Sequence, residues 1–414
     1  MEPATNRLWN RDFSLLSICT VIALLGNMTI SVALAFYVRD ITGSEAMFGL
    51  ALSAPYISLL VMSPIGGIIA DRLRKQLVMF SIDAFVAVLI LVYLVSNNLF
   101  TMAIIPIAFV KLFVLNAAQG AYMSTLQAAI PFIVPKDKLP TANAFIGVVN
   151  ALVSAGGAAL AAVLYENFGL STILILFAVV YAFIAILDLF IRVPYKKQKA
   201  ESSVIQLVKS DMSQAIRFTT KDKPVFAKLA IIAFFVFATG ASLLMVGTPI
   251  LVTETLNMDL SFVGIINMLT AVGGLGGGIL ASSLGTRLSI EKCPFLLLIL
   301  SILPILISLA ILLDIHTTAV FVVLAVVSAF SMFILTLVLI TTITFVQTET
   351  PSELLGKVLA LFSMLPFLGQ AVGQFAFGVL FETLETIPWA VILISVFIST
   401  MVAMYSRKHL ANAD

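Results

Sequence analysis

The fold class predicted by this sequence is an all-α membrane protein of twelve transmembrane helices, arranged as two pseudo-symmetric six-helix bundles. Three observations predict it. Hydrophobic residues fill 61% of the 414 positions and charged residues only 11%, a balance that cannot dress a soluble surface. The apolar runs reach the roughly 20 residues needed to cross a hydrocarbon core. The basic residues gather on alternate loops, as cytoplasmic loops do. Mean hydropathy is +1.14. The net charge of +2 gives no general attraction to nucleic acid, so the informative quantity is where the basic residues lie.

The first run, Phe13 to Val38, follows Arg7 and Arg11. Ala33-Leu34-Ala35 mimics a signal-peptidase site. The run is too long for a signal h-region and more runs follow, so an uncleaved first helix is expected. Polar breaks then delimit spans at 46–70, 77–96, 102–130, 143–165 and 170–191. Beyond a polar stretch come 225–250, 262–284, 294–313, 319–346, 357–381 and 388–406.

With the N-terminus placed in the cytoplasm, all 23 Lys and Arg except Arg39 and Lys111 fall on cytoplasmic segments. Nine of them lie between Arg192 and Lys228. Arg39 lies outside and Lys111 lies within span 4. A multi-pass protein of the bacterial inner membrane with both termini cytoplasmic is the expectation. Cys19 and Cys293 exclude a disulfide framework and a cysteine-based metal site. His316 and His409 stand beside predicted helix ends, without the clustering that catalysis or metal binding needs. No cofactor or metal is implied.

The two halves echo each other. Gly66-Gly67-Ile68-Ile69-Ala70 at the end of span 2 matches Gly277-Gly278-Ile279-Leu280-Ala281 at the end of span 8. Pro135, Asp137 and Leu139 match Pro351, Glu353 and Leu355; Phe48-Gly49-Leu50 matches Val263-Gly264-Ile265; Gly26 matches Gly240. The offsets all lie between 211 and 216. Tandem repeats of this kind put a pseudo-two-fold axis along the membrane normal and a solute site between the halves. The domains expected are an N-terminal bundle over 1–191, a cytoplasmic linker over 192–224 and a C-terminal bundle over 225–414. In the linker, Val204, Leu207, Val208, Met212, Ala215, Ile216 and Phe218 recur at mostly helical spacing. Either a helix on the anionic inner leaflet or a flexible tether with some helix fits that pattern.

The loop after span 2 reads Gly67-Ile68-Ile69-Ala70-Asp71-Arg72-Leu73-Arg74-Lys75. It resembles the signature of the major facilitator superfamily: Gly, three residues, Asp-Arg, then Gly-Arg-Lys or Arg. Gly67, Asp71 and Arg72 match, whereas Arg74 stands where glycine is usual. The resemblance implies a conformational switch made of Gly67, Asp71, Arg72 and Lys75. Asp71 would meet the N-terminus of span 11 near Gly356-Lys357, where the helix dipole favours a carboxylate. Arg72 and Lys75 would bind acids of their own half, among them Asp83, Asp137 and Asp188.

Within that superfamily the chain looks most like bacterial macrolide-efflux and related drug or siderophore exporters. Ile130-Pro131-Phe132-Ile133-Val134-Pro135-Lys136-Asp137-Lys138-Leu139 and Pro351-Ser352-Glu353-Leu354-Leu355-Gly356-Lys357-Val358 carry that likeness. Two antiporter marks are missing. Leu115 stands where an arginine is frequent in span 4, and Gly157-Ala158 replaces the Gly-Pro of span 5. The resemblance implies an exporter of hydrophobic or amphiphilic, drug-like compounds that works by alternating access as a monomer, with protons as the coupling ion.

Intramembrane polar residues supply the candidate site. Lys111 shares a face of span 4 with Ala118, Tyr122 and Thr125, with Gln119 at its edge. An ammonium there costs roughly 2.5–3.5 kcal/mol on insertion scales, so it should face a cavity or a partner. Its distance from the outer boundary, about 13 Å at 1.5 Å per residue, also permits snorkelling. Asn27 lies midway along span 1, and Gln370 and Gln374 lie one turn apart in span 11. Such amides orient a solute or glue helices together. Because the resemblance makes spans 1, 4, 7 and 10 line the cavity, Asn27, Lys111, Gln119, Tyr122 and Gln370 are the substrate-binding candidates. No acid sits at the midplane, and Asp83, Asp40 and Glu45 are the proton-coupling candidates.

Span 8 carries Gly273, Gly274, Gly276, Gly277 and Gly278. No strand precedes them and no Lys-Ser or Lys-Thr follows, which excludes a phosphate loop. Packing against Gly156 and Gly157 of span 5 is expected instead. The 31 Phe and 15 Met suit a soft apolar lining. A siderophore or lipid exporter, or a facilitator-type importer of a small solute, is the alternative. An enzyme would need a His-Asp or carboxylate pair at an interface, and the sequence suggests none.

Overall fold

The computed structural model describes residues 8–99, 104–135, 138–194, 212–284, 289–351 and 354–410. These are helical almost throughout. In the first part of the chain lie α1 (Arg11–Thr42), α2 (Glu45–Arg72), α3 (Lys75–Leu99) and α4 (Ile104–Ile133). The next helical run, Leu139–Asp188, has 50 residues. Straight, it would measure about 75 Å, more than twice a hydrocarbon core of about 30 Å. Its helical geometry fails at Gly169, with φ 69° and ψ 171°, a conformation open to glycine because it has no Cβ. The run therefore supplies two spans, α5 (139–168) and α6 (170–188).

The later elements are α7 (Pro224–Thr255), α8 (Ser261–Leu284), α9 (Ile290–Leu312), α10 (Thr317–Glu349), α11 (Leu355–Thr383) and α12 (Pro388–Leu410). Eleven apolar helical runs among the described residues are long enough to span a bilayer, and the break at Gly169 makes twelve helices of them. Proline opens several: Pro224 begins α7, and Pro294 and Pro388 stand in the first turns of a segment of α9 and of α12. A ring there removes an N–H that no intrahelical carbonyl would accept. His316 caps α10, its Nδ1 accepting the Thr318 N–H at 3.3 Å. That is a local structural use for one of the two histidines. Val88, Val92, Val179, Phe183, Ile279 and Phe397 are exposed, as a lipid-facing surface requires.

Contacts divide the chain into two compact units. The first holds Met1–Val38 and Ala54–Val204, the second Arg39–Ser53 and Ile205–Asp414. The last turn of α1 and the first turns of α2 thus belong to the second unit. There Gly49 meets the Gln374 carbonyl and Gly378 meets the Glu45 carbonyl. A Cβ at either position would collide with backbone, so α2 and α11 cross closely only because both residues are glycine.

The glycines of α8 pack differently from the expectation. Gly273 lies against the Ala329 carbonyl and Gly277 against the Phe333 carbonyl, both of α10. Gly157 of α5 lies against Met28 of α1, 2.7 Å from a would-be Cβ, and Gly156 has nothing within 4 Å. Each small-residue face is taken up by a helix of its own unit, because a bare helix face buries most contact against its packed neighbour. In the linker, 195–211 lie outside the described residues; 212–217 are helical and Phe218–Asp222 form a π-helical turn.

Candidate functional site

The first unit holds a polar cluster between α1 and α4. Asn27 Nδ2 donates to Asn116 Oδ1 at 2.9 Å. Asn116 Nδ2 donates to Ser31 Oγ at 3.1 Å and to the Leu112 carbonyl at 2.8 Å. These groups are buried, and hydrogen bonding offsets the cost of their burial. The satisfaction is incomplete. Asn27 Oδ1 and Gln119 Nε2 are buried and have no hydrogen-bond partner among the described residues. One is an acceptor and the other a donor, so the pair can serve a solute carrying both functions.

Lys111 lies nearer the start of α4. It is buried, with its Nζ 2.7 Å from the centroid of the Tyr93 ring on α3. Among the described residues no carboxylate pairs with it. The aromatic face is its partner, a cation–π contact strengthened by exclusion of water. Tyr122, on the same helix, turns its hydroxyl elsewhere, close to Thr20 of α1 and the carboxyls Asp83 and Asp188. Tyr181 donates to the Ala23 carbonyl at 2.7 Å.

Asp83 is 2% exposed and Asp188 is fully buried, and their carboxyls lie within hydrogen-bonding reach of each other. Lys75, expected to meet such acids, is buried with its ammonium 4.9 Å from the centroid of the Phe132 ring. Asp137 and the side chains of Asp71 and Arg72 lie outside the described residues; the backbone of Gly67, Asp71 and Arg72 continues α2. An open groove of about 280 Å³ runs along α1, lined by Trp9, Ser14, Ser17, Ile18, Val21, Ile22 and Phe145. Trp9 and Phe145 meet edge to face there at 5.0 Å.

In the second unit Arg39 bridges Glu45 and Glu254, each at 2.7 Å. Glu382 accepts from Ser44 Oγ at 2.5 Å and from the Ala46 N–H at 2.8 Å, at the N-terminus of α2, where the dipole favours a carboxylate. Asp40 is exposed. Gln370 is buried, and its carbonyl accepts from Ser242 Oγ of α7 at 3.2 Å. Both amide atoms of Gln374 are buried without a partner among the described residues. Around Ser242, α7 runs through π-helical turns at Phe237–Ala241 and Leu243–Gly247, the kind of irregularity that gathers at functional positions. No group of three or more His, Cys, Asp or Glu suited to a metal occurs among the described residues.

Of the sequence candidates, Asn27 is hydrogen-bonded to Asn116, which must be added to them, and Gln119 lies three residues beyond Asn116 on α4. The signal of Asn116 was plain enough, an amide within the apolar run that follows Lys111. Asp83 gains Asp188 as a partner, and Glu45 gains Arg39.

Residues 16–374 match the model of the Major Facilitator Superfamily. Over 237 residues the chain is 21% identical to macrolide efflux protein A of Streptococcus pyogenes, covering 57% of this chain and 58% of that protein. Over 162 residues it is 26% identical to the uncharacterized transporter YebQ of Escherichia coli, covering 37% of this chain and 34% of that one. The alignments thus span 58% and 34% of the lengths of these curated relatives. Among solved structures, a bacterial homologue of the human lysosomal transporter Spinster superposes with a TM-score of 0.72 at 13% identity, covering 97% of both chains. The nucleoside transporter NupG gives 0.68 at 16% identity, covering 97% of this chain and 99% of that one. A bacterial homologue of the iron transporter ferroportin gives 0.65 at 14%, covering 95% and 98%. With the family model matching most of its length and eleven apolar helical runs among the described residues, the chain is a multi-pass membrane protein that belongs to the Major Facilitator Superfamily.

Proposed function

We propose that this transporter exports hydrophobic or amphiphilic compounds of macrolide or drug-like character by alternating access, driven by protons. The observation that carries the reading is the buried Asn27–Asn116 bond with Gln119 three residues further along α4, where the open groups are an uncharged acceptor on Asn27 and an uncharged donor on Gln119. Such a pair suits a large solute with scattered carbonyl and hydroxyl groups better than a compact ion, for which opposite charges would be needed. The aromatic and aliphatic groove along α1 adds apolar area, and the similarity to macrolide efflux protein A points the same way. Gln370 and Tyr122 complete the substrate-binding set, with Lys111 tuning the preference for charge.

Gly67, Asp71, Arg72 and Lys75 act as the conformational switch. Asp71→Asn impairs transport while leaving insertion and abundance intact; full activity would remove that role. The protein works as a monomer in a bacterial inner membrane with both termini cytoplasmic, and Asp83, Asp40 and Glu45 are the acids from which proton coupling is drawn. Efflux from proteoliposomes tests the whole reading, with a macrolide and a fluorescent hydrophobic cation, with and without an imposed proton gradient. Gradient-dependent movement of either supports it. No movement under any gradient overturns drug export and brings siderophores, lipids or an imported small solute forward.

A further inference from the structure

We propose that Asp83 of α3 and Asp188 at the end of α6 form one proton-binding site that opens and closes the α1–α3–α4–α6 packing of the first unit. It deepens the proton-driven reading and rests on it for its link to transport. The two carboxyls are buried and within hydrogen-bonding reach of each other. Both Asp188 oxygens and Oδ2 of Asp83 receive no hydrogen bond from a protein N–H or O–H among the described residues.

The groups facing the pair come from each neighbouring helix. Cys19 and Thr20 approach from α1, Tyr122 from α4 and Tyr181 from α6. None is a cation. On α3 itself the nearest is Lys75, whose ammonium lies over the Phe132 ring, eight residues or roughly 12 Å along the helix from Asp83. The Cys19 thiol meets Asp188 but no cation among the described residues does, and two neighbouring carboxylates in an apolar surrounding do not both stay charged without one. One proton held between them removes one charge and makes an O–H···O bond from one carboxyl to the other.

The surroundings also fit the proton's departure. The hydroxyls of Thr20 and Tyr122 are buried and lack hydrogen-bond partners among the described residues, and Tyr122 lies close to both acids. When the proton leaves, the net charge of the pair goes from −1 to −2. These hydroxyls can then turn to donate, while like-charge repulsion pushes α3 away from α6. Proton release is thereby coupled to loosening of the packing, and rebinding restores it. One proton moves per cycle, with no other reactant.

The test needs no substrate at its first stage. Infrared spectra of the full chain in lipid nanodiscs should show a protonated-carboxyl C=O band at neutral pH that shifts in D₂O and fades as pH rises. The band should vanish in Asp83→Asn/Asp188→Asn, an Asn pair of nearly the same shape. Absence of the band in the wild type, or its survival in the double variant, overturns the site. Loss of the band on replacing choline chloride by sodium chloride overturns it in favour of a sodium site.

In proteoliposomes, Asp188→Asn should lose gradient-driven movement of the macrolide or cation by about ten-fold or more, as loss of an intramembrane titrating group predicts, and keep gradient-free exchange. Retained gradient-driven movement overturns the coupling role. If the wild type moves neither probe, the export reading fails while the infrared result still decides the proton site.

Discussion

Asn27 of α1 gives its amide N–H to Asn116 of α4 across 2.9 Å, and the bond that joins the helices leaves Asn27 Oδ1 open. One residue thus both holds the bundle and presents an acceptor. Asn116→Ala leaves the Asn27 donor and Ser31 unpaired in an apolar setting. It should cost about 0.6–1.7 kcal/mol, the range for polar contacts between membrane helices, read as a lower thermal midpoint in detergent. Transport should lose affinity more than maximal rate, because the open acceptor moves with the side chain that carries it. An unchanged midpoint would show that the Asn27–Asn116 bond carries no stability.

Much of this was legible in the sequence, for physical reasons that can be named. The bilayer demands long apolar runs with every backbone group satisfied internally, so the helices and the family were readable from length, hydropathy and the Gly67–Asp71–Arg72 spacing. The partners of buried polar groups were not. Which residues meet depends on how far each helix is rotated and offset along its axis, and a span boundary uncertain by a few residues turns a helix by a few hundred degrees. Lys111 therefore left cavity and snorkel open, whereas the structure sets its ammonium over Tyr93. The α8 glycines announced close packing but not its partner, since one smooth face looks like another until a helix is laid against it.

That close packing gives a sharp contrast between neighbouring positions. At Gly273 and Gly277 a Cβ would meet the carbonyls of Ala329 and Phe333, whereas at Gly278 nothing lies within 4 Å. Gly277→Ala must push α8 from α10 and should destabilise by about 1–3 kcal/mol, as overpacking does. Gly278→Ala should stay within about 0.5 kcal/mol of the wild type. Thermal unfolding of the two variants side by side is the measurement, and equal midpoints would contradict the packing of α8 on α10.

For Lys111 the aromatic ring is the partner whose removal is informative. Tyr93→Phe keeps the ring face under the ammonium, and Tyr93→Leu removes it. The second should lower stability by about 1–2 kcal/mol more than the first, the size of a desolvated cation–π contact. Lys111→Ala should shift preference between cationic and neutral substrates while protein level holds. Identical midpoints for the two Tyr93 variants would mean that the ring contributes only apolar area.

Arg39 joins two glutamates that differ in burial. Its own side chain is 11% exposed and that of Glu45 16%, against 59% for Glu254. An ion pair with one partner in water is screened and contributes little, so Glu254→Gln should change stability by less than about 1 kcal/mol. Arg39→Met is different. It strips Glu45 of its cation, and Glu45 Oε2 already has no partner among the described residues. Loss of a buried hydrogen bond to a charged group costs about 1.5–3 kcal/mol. The double variant Arg39→Met/Glu45→Gln should recover part of that loss, because an amide is cheaper to bury than an unpaired carboxylate. Thermal midpoints across this series check the order Glu254→Gln, then the double variant, then Arg39→Met, from mildest to most severe. Were Glu254→Gln as damaging as Arg39→Met, the exposed arm of the bridge would be the one that carries its stability.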